Sequence, residues 1–240
     1  MKYTDVTTLK LLAFDSSAKS ASVAVVDDGR LISECFVNVG LTHSATLMPM
    51  TDNVLSQADL KIEDIDALCV NVGPGSFTGI RIGVAAVKGL AFKHDLNCAA
   101  VSTLECMAYN FADENCYVCS TMDARCSQVY TALFECKDGN VKRLCDDKAI
   151  SISELKDELS KLDGKVYLAG DGAEICFNNF GNELSAVILA GENRRYQRAY
   201  GVAMAALDKN EFIDSALITP VYLRPPQAER ELKLKLKEDK

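Results

Sequence analysis

The sequence predicts an α/β protein built from two similar units. Two stretches of the chain each show the order strand, strand, strand, helix, strand. In each stretch the first strand runs into an aspartate, Asp15 or Asp123. In each, a later strand ends in a glycine turn, at 73–75 or 170–172. The halves share no obvious sequence identity, and an old internal duplication explains their common order.

Composition narrows the class of protein. The 240 residues are 48% hydrophobic and 25% charged, which is typical of a folded protein. The net charge of −8 disfavours direct binding of a phosphate backbone by the chain alone. No apolar run reaches the ~18 residues of a membrane span, and the first ten residues lack a signal-peptide pattern. We therefore expect a soluble, cytoplasmic protein whose ten cysteines are reduced.

The first unit spans about the first hundred residues. Apolar runs predict strands at 11–14, 22–26 and 31–39, with an Asp-Gly hairpin turn between the last two. A helix is predicted over 44–58, where the interior Pro49 is unfavourable. It carries one apolar stripe through Leu47 and a second of Met48, Thr51 and Leu55. A strand at 67–72, a turn and a helix over 78–92 with Thr78 as its N-cap complete the unit.

The second unit repeats this order. Strands are predicted at 117–122, 128–136 and 141–149, and a helix from about residue 151 has Glu154 in capping-box position. A strand follows at 165–169, then a helix over 194–207 and an extended segment over 217–223. We predict an N-terminal lobe over 1–103, joined by the segment at about 215–225, a C-terminal lobe over 104–214 and a solvated tail over 226–240.

The most distinctive motif is the run 73–83. Its turn consists of Gly73, Pro74, Gly75, Ser76, Phe77 and Thr78. The run is neither a Walker A loop, because no lysine appears until Lys88, nor a dinucleotide fingerprint, because the third glycine is misplaced. A tight turn that opens a helix remains, and its first amides either bind an anion or are capped.

A stripe of small residues follows on that helix, with Gly79, Gly83 and Ala86 on one face. Glycine inside a helix costs roughly 1 kcal/mol relative to alanine, so two on one face indicate a close approach to the backbone. Either the protein's own sheet or a helix of another chain makes that approach.

The loop Asp15-Ser16-Ser17 follows the first strand and precedes a hairpin. Actin-like ATPases hold phosphates and magnesium with this arrangement, although a simple turn explains it equally well. The corresponding second loop, Asp123-Ala124-Arg125, has an arginine where a phosphate loop would have glycine.

The sequence offers little metal or nucleophile chemistry. Only two histidines occur, and the position four residues after His43 is Leu47, so a helical histidine pair is absent. No Gly-x-Ser-x-Gly elbow is present. Cys116 and Cys119 suggest zinc or redox chemistry by spacing, but within one strand they point to opposite faces and are better explained as core residues.

Several motifs together resemble the TsaB (YeaZ) family. They are 11–17, His43-Ser44 before a helix with Pro49, the run 73–83, Asp123-Ala124-Arg125 with Val129-Tyr130, and 221–224. The match covers most of the chain and is dense to about residue 135. The departures from the family pattern are the cysteine richness and the pair Cys126-Ser127.

The resemblance implies a two-lobed actin-like (ribonuclease H-like) fold and a non-catalytic dimerisation subunit. Such a subunit pairs with the catalytic subunit TsaD and the ATPase TsaE for N6-threonylcarbamoylation of adenosine 37 in tRNAs that read codons beginning with A. It implies that this chain alone binds no cofactor or metal, that partner subunits use ATP and a metal, and that the chain contacts tRNA only through the complex. A homodimer is expected when the partner is absent, and no membrane association.

The resemblance also assigns roles to residues. Asp15, Ser16 and Ser17 become a vestigial phosphate loop, with no catalytic residue. The predicted partner interface consists of Met48, Thr51, Leu55, Gly79, Arg81, Gly83 and Ala86. Two alternatives to the scaffold remain: a small-molecule kinase or ATPase of the actin-like superfamily that uses Asp15, and a peptidase.

Overall fold

The computed structural model describes residues 9–224 and contains two β-sheets with the same strand order. The first sheet runs β3-β2-β1-β4-β5, and the second runs β8-β7-β6-β10-β11, with β9 also paired to β7. In each unit the first three strands are antiparallel, and the later two add in parallel beside the first. The repeated order confirms the predicted α/β class of two similar units.

The bounds of the regular elements are as follows. The strands are β1 Lys10–Asp15, β2 Ala21–Asp27, β3 Arg30–Val37, β4 Ala67–Gly73, β5 Asn97–Ser102, β6 Cys116–Asp123, β7 Gln128–Lys137, β8 Asn140–Arg143, β9 Lys148–Ser151, β10 Val166–Ala169 and β11 Val187–Leu189. The helices are α1 His43–Gln57, α2 Phe77–His94, α3 Thr103–Ala108, α4 Ile152–Leu159, α5 Ala173–Cys176, α6 Glu192–Arg195 and α7 Ala199–Lys209.

The elements stack in alternating layers because the strands are apolar on both faces. In β1, Leu11 faces one hydrophobic core and Leu12 faces another. Helices α1 and α2 cover the outer face of the first sheet, and α4 and α5 cover the outer face of the second. Helices α3 and α7 fill the space between the two sheets, where the central core lies.

Local sequence signals account for several boundaries. Asp28-Gly29 and Asp138-Gly139 have positive φ and form two-residue hairpin turns, as predicted. Ser151 and Glu154 form the predicted capping box of α4. Pro49 lies inside α1 without ending it.

Other expectations were wrong. The N-cap of α2 is Ser76, whose hydroxyl accepts the Gly79 N–H, and Thr78 lies within the helix. The predicted strand 141–149 is divided into β8 and β9, and the predicted helix 194–207 is divided into α6 and α7. No sequence pattern predicted β5, β11, α3 or α5, because segments of three to six residues are too short to show a clear period.

The segment after α7 returns to the first sheet. Ile213 bridges to Cys98 of β5, Ile218 is buried, and the Val221 N–H donates to the Val72 carbonyl at 2.7 Å. Helix α7, which the predicted boundaries place in the second lobe, packs against β1 and β2. The lobe boundaries stay a prediction, and the predicted tail 226–240 lies outside the described residues. Within 9–224, no helix is both long and apolar enough to span a membrane.

The turn between β6 and β7 has an unusual backbone. Arg125, Cys126 and Ser127 follow one another with φ values of 61°, 54° and 55°. Side chains other than Asn and Asp disfavour this left-handed region by roughly 1–2 kcal/mol per residue. The turn therefore carries conformational strain.

We expect Ser127→Gly to stabilise the chain. Glycine removes the left-handed penalty but loses more backbone entropy on folding, so the net gain in unfolding free energy should be about 0.5–1 kcal/mol. Urea denaturation measures it. Ser56→Gly, at an exposed position of α1, is the matched control and should lower stability. Equal losses in both variants would contradict the assignment of strain to this turn.

Candidate functional site

The loop after β1 is organised around the buried carboxyl group of Asp15. Its Oδ1 accepts hydrogen bonds from the Ser17 hydroxyl at 2.6 Å, the Ser17 N–H at 3.3 Å and the Asn71 side-chain amide at 2.7 Å. Its Oδ2 is buried without a partner. Burial raises the pKa of Asp15, and the hydrogen bonds from Ser17 and Asn71 oppose that rise only in part.

The N-terminal end of α2 covers this loop. The Ser76 N–H donates to the Ser17 carbonyl at 2.7 Å, and the Ser16 hydroxyl donates to the Gly79 carbonyl at 2.9 Å. A Cβ added to Gly75 would lie 2.3 Å from the Ser17 carbonyl oxygen. A Cβ on Gly79 would lie 2.1 Å from the Ser16 carbonyl oxygen. The glycines of the run 73–83 therefore let the helix contact the loop backbone directly.

This packing corrects part of the predicted partner interface. Gly79 and Gly83 face the protein's own Ser16, because a Cβ on Gly83 would lie 2.4 Å from the Ser16 hydroxyl oxygen. Thr51 and Leu55 are buried in the core under α1. These four residues do not lie on an open surface. Of the predicted set, Met48 and Arg81 are exposed and Ala86 is half-buried.

The same geometry does not suit magnesium at Asp15. The carboxyl group is fully buried, and one of its oxygens already accepts three hydrogen bonds. The Ser16 and Ser17 carbonyl oxygens lie against α2, and Asp15 is not among the residues that line the neighbouring cleft. Asp15 acts here as an internal hydrogen-bond acceptor that fixes the loop to β4 through Asn71.

An open cleft lies beside the covered loop. It has a volume of about 600 Å³, and residues of both units line it. Lys19 and Arg125 contribute positive charge, and Asp123 and Asp171 contribute negative charge. Desolvation by the surrounding protein and the nearby Asp123 carboxylate raise the pKa of Asp171 to about 6. The aspartates that end the first strand of each unit thus differ, since Asp15 is buried and Asp123 is exposed.

The histidine at the start of α1 also contacts the loop after β1. His43 Nε2 lies 2.8 Å from the Ala18 carbonyl oxygen, and Leu47, one turn later, is buried in the core. Within residues 9–224, no group of three or more His, Cys, Asp or Glu side chains is placed to hold a metal ion. Cys116 and Cys119 contact different cores, as their spacing predicts.

A second cluster of side chains joins the motif at 221–224 to α2. The sequence alone did not indicate that these residues lie together. The rings of Phe77 and Tyr222 stack with centroids 3.9 Å apart, and Arg81 Nε donates to the Tyr222 hydroxyl at 2.8 Å. A Cβ on Gly73 would lie 2.2 Å from the Val221 carbonyl oxygen. Arg224 Nη1 donates to the Ala124 carbonyl at 3.4 Å, beside the cleft. Residues 145 positions apart in sequence thereby share one site only after folding.

The outward faces of α1 and α2 remain uncovered. The two helices contact each other, and they expose a row of mostly small or apolar side chains. The row consists of Ala45, Met48 and Pro49 on α1 and Thr78, Arg81, Ala85, Gly89 and Phe92 on α2. Phe92 is 89% exposed, which is unusual for so large an apolar side chain. We call this set the α1–α2 face.

The repeated sheets with a cleft between them define a two-lobed protein of the actin-like class. The solved structure of YeaZ from Pseudomonas aeruginosa shares this fold, with a TM-score of 0.71 and 24% identity over 90% of this chain and 100% of that one. A family model described as TsaD, tRNA N6-adenosine threonylcarbamoyltransferase, matches residues 39–230.

Curated relatives narrow the assignment. The tRNA threonylcarbamoyladenosine biosynthesis protein TsaB of Bacillus subtilis is 29% identical over 92% of this chain and 96% of its own length. Its counterpart in Escherichia coli is 30% identical over 77% of this chain and 80% of its own length. The chain belongs to the TsaB (YeaZ) family, within the broader group that the TsaD model describes.

We expect Gly79→Ala to destabilise the chain despite alanine's higher helix propensity. The new methyl group would overlap the Ser16 carbonyl oxygen, and overpacking of this kind costs about 1–3 kcal/mol or more. Gly89→Ala is the matched control on the same helix, because its Cβ meets open space. It should stabilise by about 1 kcal/mol. Thermal and urea unfolding measure both, and a stabilised Gly79→Ala variant would refute the contact.

The stability of an Asp15→Asn variant should depend on pH differently from that of the native chain. Because the folded pKa of Asp15 is raised above its ordinary 3.8, the folded state binds the proton more tightly than the unfolded state. The free energy of unfolding of the native chain therefore falls as pH rises from 3.8 toward the folded value. Asparagine does not titrate, so the variant should gain stability relative to the native chain across this window. Urea unfolding at several pH values measures the difference, and a constant difference would contradict the raised pKa.

Proposed function

We propose that this chain is a non-catalytic scaffold subunit in the cytoplasmic biosynthesis of threonylcarbamoyladenosine in tRNA. It pairs with the catalytic subunit TsaD, acts together with the ATPase TsaE, and meets tRNA only through that complex. A role in this pathway is supported by family membership and by the names of the relatives. The scaffold role is supported by the site.

The observation that carries the scaffold role is the covered loop. A phosphate-binding loop must present its backbone amides and its carboxylate to a ligand. Here the Ser17 N–H donates to Asp15, the Ser16 carbonyl contacts Gly79, and the carboxyl group is buried. Opening this site would require α2 to move away from the first sheet. The chain itself is therefore poorly suited to phosphoryl transfer, and ATP and metal chemistry belong to its partners.

The α1–α2 face is the surface proposed for the partner. It lies on two helices in contact, is apolar at Met48 and Phe92, and is small at Ala45, Ala85 and Gly89, which permits close approach of another helix pair. Gly79, Gly83, Thr51 and Leu55 support this face from beneath. We propose that two copies of the chain pair through the same face when TsaD is absent.

ATP binding by the isolated chain separates the scaffold from the kinase alternative. Calorimetric titration with MgATP should show no binding in the micromolar range and no turnover. Asp15→Asn should leave tRNA modification intact in a system reconstituted with TsaD and TsaE. Micromolar affinity with magnesium-dependent hydrolysis, together with a rate loss of about 100-fold in Asp15→Asn, would favour the kinase.

We expect Ala85→Arg to prevent association without unfolding the chain. Ala85 is exposed at the centre of the α1–α2 face, and arginine is a good helix former. The substitution should therefore affect only the binding of a partner that packs closely on this face. A bulky charge in a packed interface commonly costs about 1–3 kcal/mol, which weakens a complex by about fivefold to about 150-fold. Sedimentation of the chain alone and with TsaD measures assembly.

The control for this variant is Ile175→Arg. Ile175 is similarly exposed but lies on α5, on the far side of the second sheet. It should assemble and support tRNA modification like the native chain. Normal assembly of Ala85→Arg with an unchanged melting temperature would place the partner surface elsewhere.

A further inference from the structure

The cysteines are the main chemical feature that the scaffold role does not use. All ten are free thiols, and eight of the ten lie on or beside the two sheets in different registers. Most of the cysteines on strands lie opposite a residue that is not cysteine. Cys69 opposes Ala99 and Cys98 opposes Leu68, so these two thiols point into different cores. Two cysteines on adjacent strands therefore do not necessarily have their thiols on the same face of the sheet.

Among residues 9–224, Cys116 and Cys136 are the one pair of cysteines that oppose each other in a strand ladder. They are directly opposed in the antiparallel β6–β7 ladder, and both face the central core. Opposed residues in such a ladder have Cα atoms about 4.5 or 5.5 Å apart, and disulfides span roughly 4.4–6.8 Å. Each thiol is the direct neighbour of the other. The Cα spacing of an opposed pair is therefore compatible with a disulfide.

The pair lies at one end of the sheet, where a thiol reagent can reach it. Cys116 is the first residue of β6, and Cys136 is next to the last residue of β7, just before the exposed Asp138-Gly139 turn. Strand ends open locally at lower free energy than strand centres. Cys116 is 7% exposed and Cys136 is 1% exposed, so Cys116 is the thiol that a reagent meets first.

We propose that Cys116 and Cys136 form a reversible redox site whose co-reactant is a low-molecular-weight disulfide. The Cys116 thiolate attacks one sulfur of that disulfide, its S–S bond breaks, and one small thiolate leaves. The Cys136 thiolate then attacks the Cys116 sulfur, which forms the Cys116–Cys136 bond and expels the second small thiolate. Two protein thiols are oxidised, the external disulfide is reduced to two thiols, and the two protein protons pass to these through solvent.

Burial makes the reaction slow and sensitive to pH. It raises the pKa of both thiols, that of Cys136 to about 12, so each is mostly protonated near neutrality. When the pH is far below the pKa of a thiol, the thiolate fraction grows about tenfold per pH unit. The rate of disulfide formation should rise steeply between pH 7 and pH 9.

The test exposes the folded full-length chain to excess oxidised glutathione. Remaining thiols are alkylated, the chain is digested without reductant, and the peptides are identified by mass spectrometry. We expect a Cys116–Cys136 linked peptide, no Cys69–Cys98 link, and reversal by dithiothreitol. The near-ultraviolet circular dichroism spectrum should stay native throughout.

Single variants show whether the order of steps is right. Cys136→Ser should stop the reaction at a glutathione adduct on Cys116. Cys119→Ser, on the same strand but facing another core, should still form the link. The proposal is overturned if the native chain keeps both thiols alkylatable, if the link forms only under conditions that unfold the chain, or if the only products are adducts or intermolecular links at the exposed Cys126.

Discussion

The contact between the N-terminal end of α2 and the loop after β1 is the constraint on which the rest of the structure depends. Gly75, Gly79 and Gly83 remove the side chains that would separate the helix from Ser16 and Ser17. The contact buries Asp15 and directs α2 along the outer face of the first sheet. It also places Phe77 and Arg81 where Tyr222 can reach them. One packing contact is thus associated with the burial of Asp15 and with the orientation of an outer helix.

Polar contacts between distant segments fix the middle layer. Glu34 of β3 accepts from Arg198 and from the Tyr200 N–H, and Ser22 accepts the Ala199 N–H, so the first sheet caps the start of α7. At the other end of that helix, Lys209 pairs with the buried Glu105 of α3. Because α3 and α7 belong to one core with both sheets, the two units are joined by more than their connecting chain. The cleft beside the loop is the gap that this joint core leaves open.

Two of the proposals depend on the same packing of α2: that the loop after β1 binds no phosphate, and that the outward faces of α1 and α2 bind a partner. The Ser16 and Ser17 carbonyl oxygens lie against the start of α2, and the Ser17 carbonyl accepts the Ser76 N–H. The outward face of α2 lies next to that of α1. A face that is already formed before binding loses less entropy on association. The cleft has charges of both signs, and the buried carboxyl group at the end of β1 is not among the groups that line it.

The sequence by itself determined the local features: the hairpin turns at Asp-Gly, the capping box at Ser151, and the aspartates and glycine turns that reveal two units of one order. Its motifs also indicated the family. Tertiary structure alone decided what covers each face. Periodicity places Gly79, Thr51 and Leu55 on helix stripes, but a stripe does not tell whether its neighbour is the same chain or another. The opposition of Cys116 to Cys136 likewise depends on strand register, which arises from packing between segments distant in sequence.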